Sequence, residues 1–125
     1  GLATGEFGEG ATVNNTHVYC APEMFGSRYE APRYDTQSEV FSYAIILFEL
    51  LTGTMPWADL EGADESAIVT AVCKGKRPPT PATARLCNVK LYALMQRCWA
   101  HPSAFRRRPD FAKIVDHLQG VTPDR

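Results

Sequence analysis

Apolar residues recur at helical spacing in four stretches of the chain, and no long stretch alternates as an exposed strand would. The first, residues 40–51, is apolar on nearly every helical face, which a helix surrounded by water would not be. Thr36 and Glu39 have the spacing of a capping box, and Gly53 followed by Pro56 provides a stop. The pattern predicts that this segment is the central buried helix of an all-helical core.

Three further helices are predicted after the central one, each with a narrower apolar stripe suited to packing against it. They cover residues 64–74, residues 89–100 and a segment that begins after Pro109, a favourable first-turn residue. Residues 1–15 are rich in Gly, Thr, Asn and Glu without an apolar period, which is typical of a mobile loop. The expected fold class is mainly α, with a long N-terminal loop.

Composition and charge exclude several classes of partner. The 125 residues carry a formal net charge of -1, so no long-range field attracts nucleic acid or an anionic membrane. The longest apolar stretch is too short to cross a bilayer. The four cysteines have neither Cys-x-x-Cys nor zinc-type spacing, and are expected to be reduced and mostly buried, as in a cytosolic protein. They are Cys20, Cys73, Cys87 and Cys98.

Five short motifs follow one another in a characteristic order. They are Ala21-Pro22-Glu23, residues 39–44, Leu51-Thr52-Gly53 with Pro56-Trp57, residues 75–79, and Cys98-Trp99 followed by Arg108-Pro109 and Phe111. Their order and spacing resemble the C-terminal lobe of protein kinases, in which Ala-Pro-Glu closes the activation segment. Gly1 is similar to the glycine of the Asp-Phe-Gly motif that opens that segment, so the chain is expected to be truncated upstream.

The resemblance implies a domain organisation and a kinase type. Residues 1–23 correspond to the activation segment, residues 24–119 to the helical C-lobe and residues 120–125 to a tail expected to fray. Thr16 and Tyr19 lie in a segment that resembles the Gly-Thr-x-x-Tyr/Trp pattern of serine/threonine kinases, with Asn15 in place of the glycine. The downstream motifs resemble the tyrosine-kinase-like group, whose members mostly phosphorylate serine and threonine.

The same resemblance implies a function for the parent domain, which transfers the γ-phosphoryl group of ATP to protein serine or threonine with ATP and Mg²⁺ as cofactors. The groups that hold and activate ATP in this family lie upstream of Gly1. This chain is therefore expected to contain no catalytic residue and no metal site, and to bind no cofactor by itself. The implied partners are the protein substrate and the missing N-terminal lobe and catalytic loop, with no nucleic acid and no membrane. The expected location is cytoplasmic.

One structural ion pair is implied by the resemblance. Glu23 of the Ala-Pro-Glu motif is expected to pair with Arg108 of the final block, which ties the substrate-binding loop to the helical core. This chain has about two extra residues between Trp99 and Arg108, so Arg106 and Arg107 remain alternatives.

Four other residues take roles from the resemblance. Thr16 corresponds to the threonine that helps to position the catalytic aspartate, and Tyr19 lines the pocket for the substrate residue after the acceptor. Thr12 and Thr16 are candidate sites of activation-loop phosphorylation. Glu39 corresponds to the acidic residue that anchors the central helix to the catalytic-loop backbone.

Two alternatives to an active kinase remain. Ala44 and Asn15 stand where the family usually has glycine, which leaves open a pseudokinase that serves as a docking module. The other alternative is a short helical interaction protein.

Ile46 and Leu50 resemble positions that support the hydrophobic column beneath adenine. A chain without the upstream elements is expected to expose part of this helix.

Overall fold

The computed structural model describes residues 17–60, 64–101 and 107–121, with side chains described as far as residue 119. Five α-helices lie in these ranges: α1 Thr36–Thr52, α2 Glu65–Cys73, α3 Ala82–Cys87, α4 Val89–Cys98 and α5 Phe111–Val121. Short 3-10 helices lie before α1 at Pro22–Phe25 and before α2 at Ala58–Leu60, and residues 17–19 are also 3-10 helical. The described ranges contain no strand, which confirms the mainly helical fold class.

Helix α1 is the centre of the core, as its apolar pattern predicted. It packs chiefly against α4, which also packs against α5. The ring of Phe48 on α1 lies 6.1 Å from that of Trp99, just after α4. Two apolar side chains of α1 are nevertheless exposed, Ile46 by 47% and Leu50 by 74%. The helix is therefore buried on most of its faces but not on all of them.

The capping box at the start of α1 lies one residue earlier than predicted. Asp35, not Thr36, is the N-cap: its carboxylate accepts from the Ser38 amide at 3.2 Å, and the Ser38 hydroxyl lies 3.5 Å from the Asp35 amide. An extended aspartate is at least as good a cap as threonine, which explains the shift. The Glu39 carboxylate instead accepts a 2.7 Å hydrogen bond from the Tyr34 hydroxyl. At the other end, Gly53 is left-handed and its amide closes the helix, as predicted.

Helix α3 was not predicted, because only one of its six residues, Ala84, is buried and no apolar stripe marks it. The predicted helices at residues 64–74 and 89–100 are observed as α2 and α4, within two residues of the expected ends. Helix α5 extends to Val121, so the first part of the tail that was expected to fray is helical.

The expectation that the cysteines are mostly buried was wrong. Only Cys98 is buried; Cys20 is half-buried, and Cys73 and Cys87 are exposed, each at the last residue of a short helix. No disulfide links the four. None of the helices in the described ranges has the length and apolar character needed to span a bilayer.

Candidate functional site

Glu23 and Arg108 form a two-point ion pair beside the start of α1. Arg108 donates from Nη1 to Glu23 Oε2 at 2.7 Å and from Nη2 to Oε1 at 3.1 Å. The Arg108 side chain is withdrawn from solvent, and that of Glu23 is 10% exposed. Of the two alternatives, Arg107 is exposed and Arg106 lies outside the described residues. The carboxylate therefore meets the guanidinium in the parallel geometry that suits both groups.

Further hydrogen bonds involve the pair and the residues around it. The Ser38 hydroxyl donates to Glu23 Oε2 at 2.8 Å. Arg108 donates from Nε to the Ala100 carbonyl and from Nη1 to the Gln37 carbonyl, both at 2.8 Å. The Gln37 amide exchanges two hydrogen bonds with the Arg108 backbone. Buried charges are tolerated when satisfied in this way. Sequence patterns did not identify these roles of Gln37 and Ser38, because the partner of Gln37 lies 71 positions away and that of Ser38 lies 15 positions away.

The electrostatics of Glu23 follow from this network. Burial by itself raises the pKa of its carboxyl group, but hydrogen bonds from Arg108, from its own backbone and from Ser38, together with the charge of Arg108, outweigh burial. The net result is a pKa below the ordinary glutamate value. Glu23 therefore stays ionised, as an anchor rather than a proton donor.

Tyr19 is fixed to the face of α1 by two contacts. Its hydroxyl donates to Glu49 Oε2 at 2.7 Å, and its carbonyl accepts from the Ser42 hydroxyl at 2.6 Å. Burial and the adjacent Glu49 carboxylate raise the pKa of Tyr19 to about 12. The segment just before Ala-Pro-Glu is thus held on the core from both its side chain and its backbone.

His17 is a second contact of this segment that no motif indicated. Its side chain is only 10% exposed, and Nδ1 lies 3.8 Å from Glu65 Oε2 at the start of α2. Within the described ranges neither ring nitrogen has a hydrogen-bond partner. His17 therefore brings the segment against α2, as Tyr19 brings it against α1.

The turn after Ala-Pro-Glu requires glycine. Gly26 has φ +71°, and a Cβ at this position would lie 2.8 Å from Pro32 Cδ. An ordinary side chain would face both a disfavoured backbone conformation and a clash. Beside this turn is a cavity of about 640 Å³ lined by Glu23, Glu30, Arg33 and other residues.

Arg77 is a second arginine near Arg108, and both contact the ring of Phe41. Arg77 donates to the carbonyls of Trp99 at 2.7 Å and Val72 at 3.1 Å, which are at the C-terminal ends of α4 and α2. Its guanidinium lies 5.0 Å from the ring of Phe41, and that of Arg108 lies 5.2 Å from the same ring. One aromatic ring therefore contacts two arginines.

Several predicted site residues are not brought into this arrangement. Thr12 and Thr16 lie outside the described residues. Glu39 is exposed, and its described side-chain partner is Tyr34. No group of three or more His, Cys, Asp or Glu in the described ranges is placed to hold a metal ion. The described residues fix the segment from His17 to Glu23 on the helical core.

Comparison with known proteins gives a family match. The family described as "Protein tyrosine and serine/threonine kinase" matches residues 8–118. The chain is 38% identical over 109 residues to serine/threonine-protein kinase STY46 of Arabidopsis thaliana, covering 87% of this chain and 17% of that protein. It is 38% identical over 113 residues to the kinase STY17 of the same plant, covering 90% and 18%.

A human relative gives a similar result. Mitogen-activated protein kinase kinase kinase 11 is 35% identical over 107 residues, which cover 85% of this chain and 11% of that protein. The chain thus spans less than a fifth of the length of each of these relatives.

Proposed function

Because the chain belongs to the protein tyrosine and serine/threonine kinase family, we propose that it is the C-terminal lobe of a domain that phosphorylates proteins on serine or threonine. The observation that carries the proposal is the family match over residues 8–118, within which Ala-Pro-Glu supplies the glutamate of the buried ion pair. Residues 1–23 are the activation segment and residues 24–119 the helical lobe. The serine/threonine type is supported by the relatives STY46 and STY17.

The proposed role of the lobe is to hold the substrate-binding segment in place. Three contacts support it: Glu23 with Arg108, Tyr19 with Glu49, and His17 beside Glu65. Because phosphoryl transfer depends on positioning more than on covalent chemistry, a fixed docking segment contributes to rate through orientation. In this proposal Tyr19 lines the pocket for the substrate residue after the acceptor, and Thr16 helps to position the catalytic aspartate.

The remaining residues have regulatory or anchoring roles in the proposal. Phosphorylation of Thr12 or Thr16 orders the activation segment by pairing with basic groups. Glu39, at the exposed start of α1, accepts hydrogen bonds from the catalytic-loop backbone in the whole domain. The exposed Ile46 and Leu50 are available to pack against upstream elements.

ATP and Mg²⁺ are the proposed cofactors of the whole domain, where they supply the phosphoryl group and neutralise its charge. The described residues contribute no metal-ligating cluster. Because the groups that hold ATP and Mg²⁺ in this family precede the activation segment, we assign cofactor binding to upstream parts of the domain. We propose that the 125 residues by themselves do not transfer phosphate. The proposed location is the cytoplasm.

The test is a phosphorylation assay with radiolabelled ATP and Mg²⁺ on a serine/threonine peptide array. We expect the full-length protein to label serine and threonine peptides, and the 125-residue chain to label none. In the full-length protein, Tyr19→Ala should reduce labelling, and Tyr29→Ala, at an exposed tyrosine, should not. An inactive full-length protein would point to the pseudokinase alternative, whereas labelling by the isolated chain would contradict the proposal.

A further inference from the structure

A second cavity, of about 630 Å³, opens where the ends of α2 and α4 meet the segment before α5. Its polar lining residues are Arg77, Gln96, Arg97, His101 and Arg107. None of the described residues that line it is aspartate or glutamate. The cavity is therefore lined by three guanidinium groups and, among the described residues, by no carboxylate.

In the described ranges, no salt bridge links Arg77, Arg97 or Arg107 to a carboxylate. The contacts of this kind involve His17, Arg33 and Arg108. Arg97 contacts the imidazole of His117, which supplies no negative charge. Arg97 and Arg107 are exposed, so both can reorient toward a ligand.

Unlike Arg97 and Arg107, Arg77 is half-buried and fixed by hydrogen bonds to the backbone. Its Nε and Nη1 groups donate to backbone carbonyls, and no hydrogen bond from its Nη2 group is found in the described ranges. Burial and the neighbouring charge of Arg108 lower the pKa of Arg77 to about 10, although the Glu23 carboxylate acts in the opposite direction. A bound anion would favour the charged form of Arg77.

We propose that this cavity binds a phosphorylated serine or threonine side chain of a protein partner. The guanidinium fork matches phosphate oxygens two at a time, and clusters of arginine are the usual means of recognising phosphorylated peptides. Arg97 and Arg107 supply the exposed forks, and Arg77 supplies its remaining donor. The proposal goes beyond the kinase function and does not depend on it.

Size and charge favour a phosphopeptide over other phosphates. A volume of about 630 Å³ lies within the range of pockets for whole ligands of roughly 300–1,000 Å³, so it accommodates neighbouring peptide atoms as well as the phosphate. Nucleic acids and anionic membranes need an extended basic surface. The net charge of -1 shows that the positive charge here is local.

The test measures fluorescence anisotropy of two labelled peptide pools with the full-length protein at about 0.15 M salt. One pool has a fixed phosphothreonine flanked by random residues, and the other has threonine in its place. The variant is Arg97→Gln/Arg107→Gln. The matched control is Arg28→Gln/Arg85→Gln, which removes the same charge from exposed positions that line none of the described cavities. Melting temperatures check that each variant is folded.

We expect the phosphorylated pool to bind and the threonine pool not to bind. The cavity variant should bind at least about tenfold more weakly, the effect of losing a charge-assisted hydrogen bond, while the control binds like the wild type. The variant Arg97→Lys/Arg107→Lys, which keeps the charge but loses the fork, should lie between them.

Other outcomes would overturn the proposal. They are equal binding of the two pools, equal affinity of the cavity variant and its control, and competition by inorganic phosphate at the same concentration as the phosphopeptide. Stronger binding to phosphatidylinositol-4-phosphate vesicles than to the phosphorylated pool would show that the site recognises a lipid instead.

Discussion

Glu23 and Arg108, 85 residues apart in the chain, share two hydrogen bonds of 2.7 and 3.1 Å between largely buried groups. The pair joins the end of the segment that begins at His17 to the loop between α4 and α5. Through the Gln37 and Ser38 contacts of the same pair, both are joined to the start of α1.

Removal of either charge of this pair should be strongly destabilising. We expect Glu23→Ala and Arg108→Ala each to lower the free energy of unfolding by about 3–5 kcal/mol, because the remaining charge is stranded in a buried site. Urea unfolding of the protein measures the change. The control Arg107→Ala, at an exposed arginine, should change stability by no more than about 0.5 kcal/mol.

A double variant tests whether the single variants are destabilised because one buried charge is left without its partner. Glu23→Leu/Arg108→Met removes both charges at once, so its destabilisation should be smaller than the sum of the two alanine effects. Additive effects, or an Arg107→Ala effect as large as that of Arg108→Ala, would show that this pair is not the anchor.

Stability should also depend on pH through Glu23. Its pKa is lower in the folded protein than its ordinary value of 4.5, so the folded state favours the ionised form. The stabilisation is present above the unfolded pKa and is lost as pH falls through the folded pKa. The stability difference between wild type and Glu23→Gln should therefore be constant near neutral pH and shrink on acidification below the ordinary pKa. A difference that grows on acidification would contradict this assignment.

Tyr19 should titrate later than an ordinary tyrosine. Its pKa is raised from 10.0 to about 12, so its stabilising effect is complete below pH 10.0 and is lost as pH rises through about 12. Ultraviolet titration of wild type minus Tyr19→Phe should show one phenol that ionises near pH 12. The control Tyr29→Phe removes an exposed tyrosine instead. If the phenol lost in Tyr19→Phe ionises near pH 10, the hydrogen bond to Glu49 does not form in solution.

Two glycines with positive φ should differ in how strongly their positions require glycine. Both have φ +71°, but Gly53 is left-handed with ψ 14°, whereas Gly26 has ψ -175°, a region that is essentially restricted to glycine. Only at Gly26 would a Cβ also meet another atom, Pro32 Cδ at 2.8 Å. Gly53→Ala should lower stability by about 1–2 kcal/mol, the cost of a left-handed alanine, and Gly26→Ala by clearly more. Equal effects in thermal unfolding would contradict this difference between the two positions.

The sequence by itself determined the features that depend on local pattern and motif order. The apolar stretch at residues 40–51 identified the central helix because a helix that is apolar on most faces is stable only in a core. Gly53 identified its end because glycine readily adopts a left-handed conformation. The ordered motifs identified the kinase family, which the match over residues 8–118 confirmed.

Only the tertiary structure decided which side chains meet across the chain. Neighbouring residues do not show that Asp35 caps α1 while Ser38 also reaches Glu23, or that Arg108 rather than the exposed Arg107 lies against that carboxylate. Helix α3 and the shared cavity of Arg77, Arg97 and Arg107 likewise have no local signal. The physical reason is that hydrogen bonds and charge pairs are short-ranged in space but not in sequence, so the packing of distant segments determines them.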